Sequence, residues 1–179
     1  DYAVQLHGPI VRLLREFASQ TTKVRRIVPV NTPAAVPPGT DAADVMFVIR
    51  DNFRHRTDIE RQYRLAIRFA RERVIICNAY FFPGFRLLRE IRNAAKRGVR
   101  VQLVLQGQPD MEIARFAANL LYDQLVNAGV EIFEYVKRPL HAKVALTDDI
   151  WATVGSSNLD PLSLSLNLEA NVMIRQPEF

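Results

Sequence analysis

Apolar residues recur along this chain at two spacings, and the switches between them lay out the elements. "VMFVIR" (45–50) is a short apolar run of strand type. "TDIERQYRLAIRFAR" (57–71) sets Ile59, Tyr63, Ala66, Ile67 and Ala70 on one helical face and opens with Thr57 and Glu60 at capping-box spacing. Strand-type "RVIICNA" (73–79), helix-type "FRLLREIRNAAKR" (85–97, closed by Gly98) and strand-type "VRVQLVLQ" (99–106) come next. A third helix, about Met111 to Asn127, is expected to turn Ile113, Phe116, Leu120 and Leu121 inward and to stop at Gly129. "VEIFEY" (130–135) is the following strand, and past Lys137 only short β-type segments remain. Apolar strands alternating with helices predict an α/β fold: a mixed, partly parallel β-sheet flanked by helices on both faces, ending in antiparallel or mixed strands.

The segment "VPVNTPAAVPPGTDAAD" (28–44) holds Pro29, Pro33, Pro37 and Pro38 among small residues and cannot sustain a helix. It reads as a linker after a short first element, roughly Tyr2 to Ser19. "VQLHGP" from Val4 and "VMIRQP" from Val172 share the spacing V-x-(L/I)-x-x-P. The division expected from this repeat is 1–24 as the tail of a preceding repeat, 25–43 as a Pro-rich linker and 44–179 as the domain proper. The start "DYAVQLHG" has neither an initiator Met nor a signal-peptide pattern, so the chain is expected to come from the middle of a longer protein.

Composition narrows the class without choosing a function. With 179 residues, 49% hydrophobic and 24% charged, the chain has the makeup of an ordinary globular domain, not of a disordered or collagen-like one. A net charge of +5 suits a polyanionic partner, either nucleic acid or an anionic membrane surface. No run of about 18 apolar residues is present to span a bilayer. The single cysteine, Cys77, excludes an internal disulfide, and its apolar surroundings favour a buried structural thiol over a nucleophile.

The chemistry concentrates in "HAKVALTDDIWATVGSSNLD" (141–160). His141 and Lys143 are two apart on a β-type segment, so both leave the same face. A fixed positive charge beside a group that can donate a proton or attack makes a site for an anionic oxygen. Gly155 lets backbone or ligand come close, and Ser156 and Asn158 offer hydroxyl and amide donors to phosphate oxygens. Taken singly these residues are bland: a lone histidine is ordinarily structural, a lysine solvated, and Gly-Ser-Ser-Asn a turn. His7 and His55 are remote in sequence, which argues against a metal site, and no cofactor is implied. No G-x-S-x-G elbow accompanies the serines.

Together, His141, Lys143, Asp148, Gly155, Ser156 and Asn158 fit H-x-K-x4-D-x6-G-S-x-N, and this pattern resembles the HKD signature of the phospholipase D superfamily at every position. "NAYFFPGFRLLREIRNAAKRGVRVQLVLQGQPD", "LLYDQLVNAGVEIFEY" and "ATVGSSNLDPLSLSLNLEANV" are similar to the C-terminal half of bacterial cardiolipin synthases, the B type above all.

That resemblance implies two HKD motifs facing each other across a pseudo-twofold interface. One histidine attacks phosphorus and forms a phosphohistidine; the other protonates the leaving alcohol and then activates the incoming one. His141 would be the acid/base, with Lys143 and Asn158 stabilising the transition state. Asp148 would order or salt-bridge the motif, since a carboxylate repels phosphate. Glu169 matches an acidic residue that orients a motif histidine in relatives; an ordinary strand-edge charge is the other reading. Tyr80, in "YFFPG", ends a strand where α/β loops gather and either lines the substrate pocket or packs under the turn. The implied substrates are phosphatidylglycerol and a second phospholipid or alcohol acceptor, at the cytoplasmic face of a bacterial inner membrane. Arginines in and just after the predicted helices (Arg61, Arg64, Arg68, Arg71, Arg73; Arg86, Arg89, Arg92) either meet anionic lipid or form solvated faces.

The chain carries one such motif, since neither His7 nor His55 has a lysine two residues on. The missing N-terminal HKD half, or a second copy of the chain, would have to complete the site. Two alternatives stay open: a single-motif homodimeric phosphodiesterase acting on nucleic acid, and an inert basic fragment that binds membrane or nucleic acid.

Overall fold

Seven strands form one sheet in the order β1-β7-β6-β5-β2-β3-β4. They are β1 (Asp44–Arg50), β2 (Arg73–Asn78), β3 (Arg100–Gln106), β4 (Glu131–Tyr135), β5 (Lys143–Thr147), β6 (Trp151–Gly155) and β7 (Glu169–Arg175). This computed structural model describes residues 2–22, 44–107 and 120–175. β2, β3 and β4 pair in parallel, because a helix carries the chain back after β2 and after β3. The remaining pairings, β2–β5, β5–β6, β6–β7 and β1–β7, are antiparallel. The sheet is thus mixed, as the periodicity predicts.

One face carries most of the core. Val74, Ile76, Val101, Leu103 and Leu105 alternate inward along β2 and β3. They meet Ile59, Tyr63 and Ile67 of α2 (Asp58–Phe69) and Leu87 and Ile91 of α3 (Phe85–Lys96). Leu125 of α4 (120–126) enters the same cluster fully buried, whereas Leu120, expected inside, is 57% exposed. The inward stripe of α4 is therefore carried by Leu121 and Leu125; Met111, Ile113 and Phe116 lie outside the described residues. The opposite face is covered at its β1 edge by α1 (Ile10–Thr22), where Phe17 and Phe47 stack edge-on with centroids 5.5 Å apart. Between β2 and β5 that face is half-buried, and Cys77 lies there, partly accessible where a buried thiol was expected. Burial still pushes its thiol pKa up, against a lowering hydrogen bond from Tyr2.

Helix ends follow local chemistry. Gly98 and Gly129 adopt φ +91° and +93°, and Val99 N and Val130 N reach back to Ala94 O and Leu125 O to close α3 and α4. Thr57 precedes α2, but its side chain makes no capping hydrogen bond, so the expected capping box does not form. The carboxyl end of α2 is held instead by Arg97, whose Nη2 donates to Ile67 O and Arg68 O at 3.1 and 2.9 Å. Arg68 pairs with the buried Glu90 of α3, and that pairing holds the Glu90 carboxyl below its usual range. Arg68 and Arg97 thus join helices, whereas Arg61, Arg86 and Arg89 are exposed. The Pro-rich segment 25–43 lies outside the described residues; of the first element, residues 2–7 carry no strand although Val172–Arg175 lie in β7.

A five-residue helix not foreseen from the sequence, α5 (Pro161–Ser165), interrupts the final strands. Asp160 caps it, Oδ1 accepting from Leu162 N and Ser163 N at 2.8 and 2.9 Å, with Pro161 preset for the first turn.

Candidate active site

The strand pairings bring several chain ends to one edge of the sheet. Asn78, at the carboxyl end of β2, pairs with Lys143 at the start of β5. Gly155, ending β6, pairs with Asn171, and Glu169, starting β7, pairs with Arg50, ending β1. This is the edge at which open α/β sheets place ligands, beyond the carboxyl ends of the parallel strands.

His141 lies two residues before the first hydrogen-bonded position of β5 and is exposed, while Ala142 between it and Lys143 is buried. Ala142 O accepts from Ala79 N at 2.9 Å, which extends the β2–β5 pairing and fixes both flanking side chains on one side. Lys143 Nζ lies 2.7 Å from His141 Nε2. A contact this short needs one lone pair: a neutral imidazole accepts from the ammonium, or a neutral amine accepts from the imidazolium. Burial lowers the Lys143 pKa below its ordinary value, and the nearby carboxylates of Glu169 and Asp160 offset that in part.

The loop after β6 is held from beneath by two buried asparagines that the sequence reading did not single out. Asn78 is fully buried, and its Oδ1 accepts from Leu159 N at 3.2 Å. Asn171 Oδ1 accepts from Ser157 N at 3.3 Å, and its Nδ2 donates to Thr153 Oγ1 at 3.2 Å. Asn158 is thereby pinned on both sides at the end of β2 that pairs with Lys143. Its Oδ1 is buried without a partner among the described residues, as is Asn78 Nδ2. A polar residue that breaks the apolar run "VIICNA" at a strand's carboxyl end was the signal for Asn78.

Gly155 has a packing reason. A Cβ there would stand 2.3 Å from Asn171 Cγ and Oδ1 and 2.5 Å from Ala170 O, so it is backbone and the Asn171 amide, not a ligand, that approach it. Ser156 is exposed, but its hydroxyl is engaged: Oγ donates to Glu169 Oε2 and accepts from Ala170 N at 3.0 Å. Glu169 is buried, takes Asn167 Nδ2 at 3.5 Å on its other oxygen, and acts electrostatically on Lys143. Arg50, buried at 1% exposure, donates through Nη1 to Asn52 Oδ1 (2.7 Å) and Asn167 O (2.6 Å), and through Nη2 to Ser165 O. It clamps the segment between α5 and β7. Tyr80 is half-buried two residues past Asn78, beside the bridge between Phe81 and Leu159.

Asp148 stands apart. It follows β5 at the far end from Lys143, with φ +51°, and its carboxylate accepts the backbone N–H groups of Arg71, Glu72 and Arg73 at 2.7, 2.9 and 2.9 Å. Neighbouring Asp149 takes the salt bridge, with Arg73. Burial alone would raise the Asp148 pKa; the three backbone donors outweigh it and hold the carboxyl below its usual range. Asp148 thus fastens the start of β2 to the β5–β6 turn through backbone N–H groups. Asp148→Ala is expected to cost about 2 kcal/mol, since the donors lose a charged acceptor but keep access to water. Because the folded-state pKa is depressed, that stabilisation is complete above the ordinary pKa of 3.8 and fades as pH falls through the folded value. Urea unfolding at pH 7 and pH 3 checks this: the gap between wild type and Asp148→Ala should narrow at the lower pH.

This architecture and this constellation have relatives. Residues 63–179 match the family described as "Cardiolipin synthase, PLD-like domain". Cardiolipin synthase B of Escherichia coli K12 is 55% identical over 183 aligned positions, which span all of this chain and 44% of that protein. Among solved structures, Nuc from Salmonella typhimurium, a phospholipase D family member, superposes with a TM-score of 0.62 at 22% identity, over 76% of this chain and 86% of Nuc. Phosphatidylserine synthase from Haemophilus influenzae superposes with a TM-score of 0.60 at 15% identity, over 98% of this chain and 44% of that one. At those identities the two structures speak for the fold alone, whereas the family match and the E. coli relative speak for descent: the chain belongs to the cardiolipin synthase family of phospholipase D-like domains.

Proposed function

We propose that the chain is the C-terminal catalytic half of a phosphatidyltransferase that moves a phosphatidyl group between phospholipids through a phosphohistidine. The observation that carries this reading is the His141–Lys143 contact at the sheet edge where the pinned Asn158 loop and Glu169 also lie. In this reading residues 1–24 are the tail of a preceding repeat whose own histidine attacks phosphorus, opposite the leaving oxygen. His141 gives its proton to the departing alcohol and then takes one from the acceptor hydroxyl, so each half-reaction restores the other's protonation state. When phosphate enters, the Lys143 ammonium leaves His141 for the non-bridging oxygens, joined by the Asn158 amide. The freed Nε2 takes from solvent the proton it then gives to the departing alcohol. Glu169, fixed by Ser156, keeps a negative charge near the cationic pair, which supports a positioning part for both residues. Tyr80 borders the entrance. Phosphatidylglycerol is the substrate, an anionic membrane surface is where it is met, and the site is peripheral on the cytoplasmic side. No helix among the described residues is long and apolar enough to cross a membrane.

The test is to incubate the full-length enzyme with phosphatidylglycerol vesicles and, separately, with single- and double-stranded DNA. Cardiolipin and glycerol in equal amounts are expected, with the DNA intact. Cleavage of DNA without lipid product would replace this reading with the homodimeric phosphodiesterase.

A further inference from the structure

Side chains that ordinarily seek burial stand exposed around the edge of the sheet that bears His141. Leu162 and Leu166 are 57% and 62% exposed and one helical turn apart, with Leu166 N bonded to Leu162 O at 2.9 Å. Leu168, immediately before Glu169, is 55% exposed. Phe53 is 85% exposed in the loop after β1. That loop is tied to the leucines, because one Arg50 nitrogen bridges Asn52 Oδ1 and Asn167 O. On the other flank Phe82 N donates to Leu159 O at 2.7 Å, and Phe85, three residues on, is 71% exposed. The core of the sheet does not use any of these side chains, and Leu164, between two of them in sequence, is buried.

Cations outnumber the acidic groups that reach solvent among the described residues at this end. Arg54, Arg56 and Arg86 are exposed next to the apolar residues, and Lys137 and Arg138 are exposed in the loop between β4 and β5. The acidic groups there are each hydrogen-bonded, although the Asp58 side chain is 41% exposed and Glu134, bonded to Tyr122, also reaches solvent. Asp51 accepts from Phe53 N and His55 N, Asp58 pairs with His55 at 2.7 Å, Asp160 caps α5, and Glu169 holds Ser156. A patch of leucine and phenylalanine rimmed by cations fits the boundary between headgroups and acyl chains of an anionic bilayer.

We infer that Phe53, Leu162, Leu166 and Leu168 enter the surface of an anionic phospholipid bilayer and bring the His141 edge down onto it. The inference rests on the reading of the substrate as a membrane-resident phosphodiester, and it assigns the contact to this rim, Arg86 included, in place of the remaining arginines of α2 and α3. A phosphodiester in a bilayer lies a few ångströms above the acyl chains, so a site that reaches it without extracting the lipid needs apolar groups beside it.

Sedimentation of the 179-residue chain with vesicles of phosphatidylglycerol and phosphatidylcholine, against phosphatidylcholine alone, tests the contact. Binding is expected only with phosphatidylglycerol, and Leu162→Ser with Leu166→Ser, or Phe53→Ser, should weaken it about tenfold or more per apolar side chain removed. In the full-length enzyme the same variants should turn over a short-chain, monomeric phosphatidylglycerol at the wild-type rate and lose about tenfold on vesicles. Equal vesicle binding by variants and wild type would overturn the inference. So would a dimer or a DNA complex of the wild-type chain that these substitutions abolish, since a second copy or nucleic acid would then be the occupant. Wild-type enzyme inert on both lipid forms would instead remove the transferase reading, leaving sedimentation to decide the contact.

Discussion

Replacing His141 with alanine in the full-length enzyme is expected to lower phosphatidyl transfer by about 100- to 10,000-fold, the range for losing a positioned general acid and base. The expectation comes from placement. His141 is exposed at the edge where Lys143, Asn158 and Glu169 meet, so its ring can reach solvent-borne substrate while Ala142 anchors its backbone. The ring is exposed, and the variant should unfold near the wild-type temperature. Lys143→Ala should lose about 100- to 1000-fold, as removal of one electrostatic donor does. The depressed Lys143 pKa adds a pH signature: the ammonium is complete well below its folded-state value, and the rate should fall on the alkaline side before the ordinary lysine pKa of 10.5. Near-normal turnover by His141→Ala, measured as cardiolipin formed from phosphatidylglycerol vesicles, would show that another group moves the proton.

Much of this was legible in the residues because the signals were periodic or fixed in spacing. Strands β2 and β3 show strict inward alternation, and the glycines that close α3 and α4 adopt the positive φ that only glycine takes without strain. The His141–Lys143 pairing follows from the twofold repeat of a strand. What escaped was set by tertiary contact. Leu120 and Leu125 fit the same helical pattern, and only packing against the sheet decides which is inside. Spacing grouped Asp148 with His141, but a strand separates them, and its carboxylate serves three backbone N–H groups instead. Gly155 and Asn171 are sixteen positions apart in sequence and in contact only because β6 and β7 pair. The Asp160-Pro161 start of α5 was readable as a cap followed by a first-turn proline, yet five residues give no period to notice.

This chain alone, as a monomer, is expected to give no cardiolipin from phosphatidylglycerol. Displacement through a phosphohistidine needs a nucleophile on one side of phosphorus and an acid/base on the other. The sequence contains one H-x-K histidine, and the structure leaves no substitute among the remaining two. His7 is exposed in the residues before α1, with a proline two positions on. His55 gives its Nδ1 to Asp58 at 2.7 Å and its backbone N–H to Asp51, in the turn that opens α2. The domain should still fold, because α2, α3 and the sheet share one core that owes nothing to a second half. In "YFFPGF" Phe81 is buried and only Phe85 is largely exposed, so the stretch as a whole is not a docking face. Any pairing that restores function must instead set a second histidine opposite His141, either from a preceding HKD half or from another copy. Mass photometry alongside the lipid assay separates the cases. An inactive monomer that becomes active when a separately expressed preceding HKD half is added supports the two-motif mechanism. Activity that rises with the dimer fraction of this chain alone points to a site shared between copies, and robust turnover by a strictly monomeric species would show that one motif suffices.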